Sequence, residues 1–441
     1  MLSSKLQLSI RDRKVFAAIL ALVLLCSTAS ALIAYDAGVK AQSSSALTMQ
    51  TNSGGVYPGA PTYTIFSDGA VTPTYYAKDA YGAISWSSTN AAVPIQNGLN
   101  INYAKVALAT GNFVCNSALT IPSFGHSSLM GQGRELSILS FTGTSGIVID
   151  SANWWSISDL SISGTIVSGA YGISILASTG ANGYNLVSNV EIHNFDQGIR
   201  INGLLSSTIE NTHIYSCNTG MDFVNDTMNN EVNTVTIDTC TVGFISENYL
   251  NQGDTFTGGM MFGNSVNFEI YNGDIINFEG VIFDHAYGST AYYIMGGTHI
   301  YFTNCYISGD HLGGTFSITP SNDLINDVVF SGSTISSFTT YTMYIHVDTT
   351  SRRIPQNIKF TDTTFESNGG TSYGDVFINN ATHTSFSGVT FSSTACSYNV
   401  QEINLATNST SFTTCSFAKG TIAGINAVSG ANILTGNFNY P

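Results

Sequence analysis

From Ile157 to Phe417 one pattern recurs every 22 to 30 residues: two hydrophobic residues five apart, with a turn-forming residue between them. The pairs are Ile157/Ile162, Val187/Ile192, Ile209/Ile214, Val232/Ile237, Phe256/Met261, Phe278/Phe283, Phe302/Ile307, Phe330/Ile335, Phe360/Phe365, Phe386/Phe391 and Phe412/Phe417. Two positions into each stands Asp159, Asn189, Asn211, Thr234, Gly258, Gly280, Asn304, Gly332, Asp362, Gly388 or Thr414. Side chains of a strand alternate between its faces, so residues five apart on one strand would face opposite ways. A bend between them turns both inward. Asn, Asp and Gly accept the left-handed backbone that such a corner needs. The pattern thus predicts two short strands meeting at a corner, the second carrying inward residues at the fourth and sixth places. The fourth place is mostly small or apolar: Leu160, Val190, Thr212, Val235, Gly259, Val281, Cys305, Ser333, Thr363, Val389 and Cys415.

Repeats that cannot bury an apolar face alone must stack on their neighbours. The β-branched, aromatic, Thr and Gly content disfavours a helical solenoid. The expectation is an all-β, single-stranded parallel β-helix of eleven or more coils. At ~4.8 Å per coil its rod is on the order of 50 Å long. Both ends of such a stack need caps.

Upstream, Tyr76-Ala77-Lys78-Asp79 and Gly82, then Thr89-Asn90-Ala91-Ala92 leading to Ile95-Gln96, precede Gly111-Asn112-Phe113, Ile121-Pro122 and Leu129-Met130-Gly131-Gln132-Gly133. This series resembles the lead-in of the pectate-lyase-like superfamily, and the resemblance runs from about Tyr75 to the C-terminus. It implies a right-handed helix with an amphipathic capping helix over the Gln96 segment. Members of that superfamily include polysaccharide lyases, polygalacturonase-like hydrolases, epimerases, phage tailspikes and noncatalytic surface proteins, so the resemblance implies a fold more than an activity. The chain departs from two of its patterns. The paired-Asp, Gly-His-Gly and Arg-x-Lys constellation of the hydrolases is not found, and neither is the calcium-carboxylate and Arg or Lys set of pectate lyases. Calcium is the cofactor that the resemblance implies.

The N-terminus changes the picture of compartment. Lys5 to Lys14 is basic, Val15 to Leu25 is apolar, and Ala29-Ser30-Ala31 has the form of a signal peptidase site. Extended through Tyr35, the apolar stretch approaches the ~20 residues that span a bilayer. Residues 1–34 therefore read as a signal peptide or a membrane anchor, 35–74 as a Ser/Thr/Gly-rich linker and 75–441 as the β-helix. Removing the first 31 residues leaves nine Lys plus Arg against 27 Asp plus Glu, a net charge of −18, which excludes a nucleic-acid partner. Sequons at Asn225, Asn380 and Asn408 fit glycosylation outside the cell. Cys217 and Cys240 occupy equivalent places in adjacent coils, as a disulfide or as stacked thiols. The cysteine spacings match no zinc motif.

Stacking aligns outward residues, and one stretch is dense in titratable groups. Around Ile192, Ile214 and Ile237 stand Glu191 and His193, His213 and Tyr215, Thr236 and Asp238. Glycosidases use two carboxylates roughly 5 to 9.5 Å apart, a spacing open to Glu191 and Asp238, with His193 or His213 as general acid or base. Such residues also ladder along any β-helix merely to hydrate it. Arg200 and Asp222 each fall eight residues after an inward Ile and should meet between coils, as a salt bridge or with Arg200 as the base or carboxylate clamp of a uronate lyase. Asp284, His285, His299, Asp310 and His311 form a second grouping that could hold a metal but lacks a ligand-spacing motif, flanked by Tyr292, Tyr293, Tyr301 and Tyr306, which serve either sugar stacking or strand packing. Trp155 has inward parity and Trp154 outward.

The composition has 9% charged residues against about 25% in ordinary domains, so hydroxyls and amides must hydrate the surface. The expected function is a secreted or cell-surface protein that binds polysaccharide or a cell-surface glycan along its lateral face. Catalysis, if present, would be lyase or glycosidase chemistry at Glu191, His193, His213, Asp238 and Arg200, with Tyr215, Asp222, Asp284 and Tyr306 binding substrate. The alternative is a noncatalytic adhesion or envelope protein; a tailspike-like fibre fits the secretory N-terminus less well.

Overall fold

A computed structural model describes residues 60–178, 182–309, 315–321, 323–336, 338, 343–346, 353–366, 374–379, 381–392, 398–403, 410–418, 423–426 and 433–435. Residues 1–34, Asp310, His311, Asn380 and Asn408 lie outside them.

All eleven middle positions of the repeat sit in the left-handed region, from Asn211 at φ 47° to Gly388 at φ 65°. Each corner joins a strand of a first sheet to a strand of a second. Thr208–Glu210 and His213–Tyr215 are one such pair, with Asn211 between them. Longer strands such as Leu186–His193 carry the corner within them. A third sheet, which includes Gln197–Leu205, Thr219–Met228 and Val242–Ser246, completes each turn. Every strand of the stack pairs in parallel with its counterpart one coil on, as Ile192↔Ile214 and Ile214↔Ile237 show. The result is a solenoid of about eleven turns.

The hydrophobic pairs line the core as the parity argument requires: Phe283, Ile307 and Phe365 are fully buried. Phe302, Phe330, Phe360, Phe386 and Phe412 stack ring on ring at 4.8 to 5.0 Å, within 7° of parallel. That spacing is the distance between paired strands, so identical residues in register can stack without shifting the backbone. At the inward fourth place the ten side chains from Leu160 to Cys415 are buried, the eleventh residue being Gly259. Gly259 is small there for a backbone reason: a Cβ would lie 2.3 Å from the Val235 carbonyl oxygen.

The N-terminal end is closed by β1 (Tyr63–Ser67), β2 (Tyr75–Asp79) and β3 (Ile84–Ser88), which pair antiparallel, and by α1 (Ala92–Leu99). β1 lies inside the stretch read from composition as linker and pairs in parallel with β4 (Lys105–Leu108). The folded unit therefore starts upstream of Tyr75. α1 buries Ala92, Pro94, Ile95, Gly98 and Leu99 over the first coil. Gln96 then satisfies an open strand edge, its Nε2 donating to the Thr120 carbonyl at 2.9 Å and its Oε1 accepting from the Thr120 amide at 2.7 Å.

Candidate functional site

The second sheet brings the expected strip together. Its register sets Glu191 beside His213 and Thr236, and His193 beside Tyr215 and Asp238. The side chains reach diagonally between these columns: His213 Nε2 meets Asp238 Oδ2 at 2.6 Å, and the Tyr215 hydroxyl donates to Glu191 Oε1 at 2.9 Å. The Tyr215 ring lies between the two imidazoles, 4.8 Å from His193 at 13° and 4.7 Å from His213. His193 Nε2 is 3.9 Å from Glu191 Oε1.

This packing sets the protonation states. Partial burial, helped by the neighbouring His213, lowers the His193 pKa although Glu191 opposes it, so its imidazole is neutral near neutral pH. Burial and the hydrogen bond to the Glu191 carboxylate push the Tyr215 phenol upward and keep it protonated. Sequence reasoning missed Arg134, which lies before the first counted repeat. Burial lowers its pKa against the pull of Glu191 and Asp159, and its Nε is buried without a hydrogen-bond partner. Gly133-Arg134 enters the stack by a backbone turn that repeat counting does not reach.

Further along the same face the surface turns apolar. Met260 and Phe262 follow Thr236 and Asp238 in register, then Ile282 and Asp284, then Tyr306 beside Ile282. Ile282 and Tyr306 are each 37% exposed. Asp284 and Tyr306 thus share a face with the acid–base strip.

Arg200 and Asp222 meet as counted, Nε to Oδ2 at 4.0 Å, but on the third sheet. Arg200 therefore stands apart from the other four residues read as catalytic. Its guanidinium lies over the Tyr171 ring, 5.3 Å from the centroid. Asp222 is 2% exposed, and its Oδ1 has no hydrogen-bond partner.

The second grouping divides. His285 pairs with Asp284 at 2.7 Å, whereas His299 pairs with Asp274 at 2.8 Å at the start of a first-sheet strand. The tyrosines around it point different ways: Tyr292 is in the core with its hydroxyl on the Ser308 carbonyl at 2.6 Å, and Tyr301 binds Asp327. Parity places Trp155 correctly in the core, and Trp154 stacks outside on Tyr184 at 4.5 Å. Cys217 and Cys240 are buried, free thiols. In the sequon at Asn225, the Asn is part-exposed while Thr227 is fully buried with its hydroxyl on Asp254 at 2.6 Å.

A stacked parallel solenoid with a left-handed corner in each coil and an N-terminal helical cap has the fold of a right-handed parallel β-helix. No protein-family model and no curated protein sequence matches the chain. Among solved structures it is similar to the A-module of the mannuronan C-5 epimerase AlgE6 of Azotobacter vinelandii, with a TM-score of 0.53 and 15% identity over 80% of this chain and 96% of that one. It is also similar to the catalytic domain of a GH87 α-1,3-glucanase in complex with tetrasaccharides, at TM-score 0.52 and 16% identity over 80% and 67% of the two chains. A third is the Agl-KA catalytic domain, at TM-score 0.53 and 12% identity over 86% and 69%. These likenesses establish the fold.

Proposed function

We propose that this protein is a carbohydrate-active β-helix that takes a polysaccharide along the outer face of its second sheet. The observation that carries the reading is the continuity of that face: an acid–base network of Glu191, His193, His213, Tyr215 and Asp238 runs into the exposed apolar ledge of Ile282 and Tyr306. Sugars stack their apolar faces on such ledges while polar groups fix orientation. Two proteins of the same fold, an epimerase of mannuronan and a glucanase holding tetrasaccharides, support the substrate class.

The protonation states favour elimination of a uronate. A neutral His193 takes the proton beside the sugar carboxylate, the Tyr215 phenol turns its proton from Glu191 to the departing glycosidic oxygen, and Arg134, coupled electrostatically to Glu191, supplies positive charge at the strip. The His213–Asp238 pair holds Tyr215 from its other side. The basic and apolar N-terminus supports a location outside the cell, secreted or anchored at its surface.

The experiment is a panel of polygalacturonan, alginate and neutral glucans given to protein starting at Leu32, reading unsaturated-uronate absorbance and reducing ends together. Elimination predicts absorbance that is lost in His193→Ala and in the Glu191→Gln, Asp238→Asn double variant. Binding with no product would favour the second reading, a noncatalytic adhesion protein. That reading draws on one observation: the carboxylates of the strip are already engaged by their neighbours.

A further inference from the structure

One column of left-handed corners, where the third sheet passes into the first, opens with four aromatic residues in a row. Tyr103, His126, Trp154 and Tyr184 each stand two residues before Lys105, Ser128, Ser156 or Leu186, which pair in register from coil to coil. All four have φ between 55° and 60°. In the next three coils the same corner is Ser206, Asn229 and Gly253, residues that accept this backbone. A bulky side chain adopts it only with strain.

Burial does not offset that strain. Tyr103, Trp154 and Tyr184 are 62%, 53% and 60% exposed, and His126 is exposed among them. The rings follow one another along the rod: Tyr103 to His126 at 5.0 Å, His126 to Trp154 at 6.2 Å and 8°, Trp154 to Tyr184 at 4.5 Å and 13°. Rings in face contact lie about 3.5 Å apart. Near-parallel rings with centroids 6.2 Å apart are therefore slipped or parted, and the face of Trp154 toward His126 is largely open.

The ridge is one ring wide and about 15 Å long. The residue after each ring is buried, and the residue before it is Asn102, Gly125, Asn153 or Gly183. Asn153 Oδ1 accepts from the Gly183 amide at 2.6 Å, which leaves its Nδ2 as a donor beside Trp154. None of the four ring-bearing residues is a carboxylate, Lys or Arg. A lipid surface or a second subunit calls for a broad apolar patch, whereas a ridge this narrow matches a single extended chain. Sugars with equatorial ring substituents offer an apolar C–H face at every unit, and rungs about 4.8 Å apart let successive units meet successive rings.

We propose that Tyr103, His126, Trp154 and Tyr184 form a second, noncatalytic carbohydrate site that holds a neutral β-linked glycan lengthwise along the rod. It does not rest on the second-sheet reading, because retention needs no bond cleavage and is measured without a product.

The test is native affinity electrophoresis through hydroxyethyl cellulose or mixed-linkage β-glucan, with full-length protein, Trp154→Asn and the Trp154→Asn, Tyr184→Asn double variant. Asn is what the same corner carries at Asn229, so both variants should fold, as circular dichroism checks. The wild type is expected to be retarded, with its dissociation constant weakened about tenfold or more in Trp154→Asn and retardation lost in the double variant. Bound glucan should also shield Trp154, the one exposed tryptophan, from acrylamide quenching. The proposal is overturned if neither glucan retards the wild type, if the double variant is retarded equally, or if alginate and polygalacturonan are held as tightly through the same residues. Binding to phosphatidylcholine vesicles, or concentration-dependent self-association, that is lost in the double variant while no glucan is retained would assign the ridge to a membrane or a second copy and overturn it as well.

Discussion

His213 and Asp238 belong to consecutive coils, yet His213 Nε2 lies 2.6 Å from Asp238 Oδ2. Asp238 also accepts from the Thr239 hydroxyl at 3.0 Å and is only 9% exposed. Removing the imidazole leaves a largely buried carboxylate short of one donor. His213→Ala is expected to cost about 1 to 3 kcal/mol, measured by urea unfolding, with Asp238→Asn and the double variant closing a cycle. A coupling energy near zero would show that the pair does not hold the coils together.

Asp222 makes stability depend on pH. Its folded pKa is raised from the ordinary 3.8 to about 7, so the folded chain holds this proton more tightly than the unfolded one. The contribution is complete below about pH 4 and is lost as pH rises through about 7, a change of a few kcal/mol. Thermal melts should show the fall in wild type and a flatter profile in Asp222→Asn, which is expected to be the more stable protein in mild alkali. Parallel profiles for the two would contradict a neutral Asp222.

The left-handed corner yields a test on adjacent glycines. Gly258 has φ 62° with open space around a Cβ, its nearest neighbour being Thr234 Oγ1 at 3.9 Å. Gly258→Ala should cost about 1 to 2 kcal/mol, the backbone penalty alone. Gly259→Ala should cost more, because its Cβ meets the Val235 carbonyl oxygen at 2.3 Å. Equal melting temperatures for the two variants would sink this account of the corner.

Cys217 and Cys240 stack in adjacent coils, and a strand spacing of ~4.8 Å falls within the Cα separation that a disulfide spans. Mild oxidation with glutathione disulfide is expected to bridge them, seen as protection of both thiols from alkylation after unfolding. Closing a loop of this size should add about 3 kcal/mol. Full alkylation of both thiols after oxidation would exclude the bridge, and Cys217→Ser supplies the control.

The strip on the second sheet was legible because its members flank inward residues of known parity. Once Ile192, Ile214 and Ile237 are inside, Glu191, His193, His213, Tyr215 and Asp238 must be outside and aligned. Counting eight residues onward found the Arg200–Asp222 contact in the same way. Counting failed where a corner intervenes: His285 and His299 lie near one another in sequence but stand at different corners of the solenoid, each at positive φ. It also failed at Arg134, ahead of the first repeat, and at β1, whose short Tyr63–Ser67 run lies in a Ser/Thr/Gly/Pro-rich stretch outside the repeat and finds its place only by pairing with β2 and β4.

The sequence by itself determined the solenoid, its register and which residues face the core, because a period of two within strands and a residue that accepts positive φ at each corner leave one way to bury the repeated pairs. Tertiary structure alone decided which outward residues share a sheet and which become buried. Asp222 is outward by parity and buried in fact, since its environment is made by Arg200, Gln197 and Glu247 from neighbouring positions and coils. Burial of an outward side chain depends on what packs over it, and that is a property of the assembled stack rather than of any one repeat.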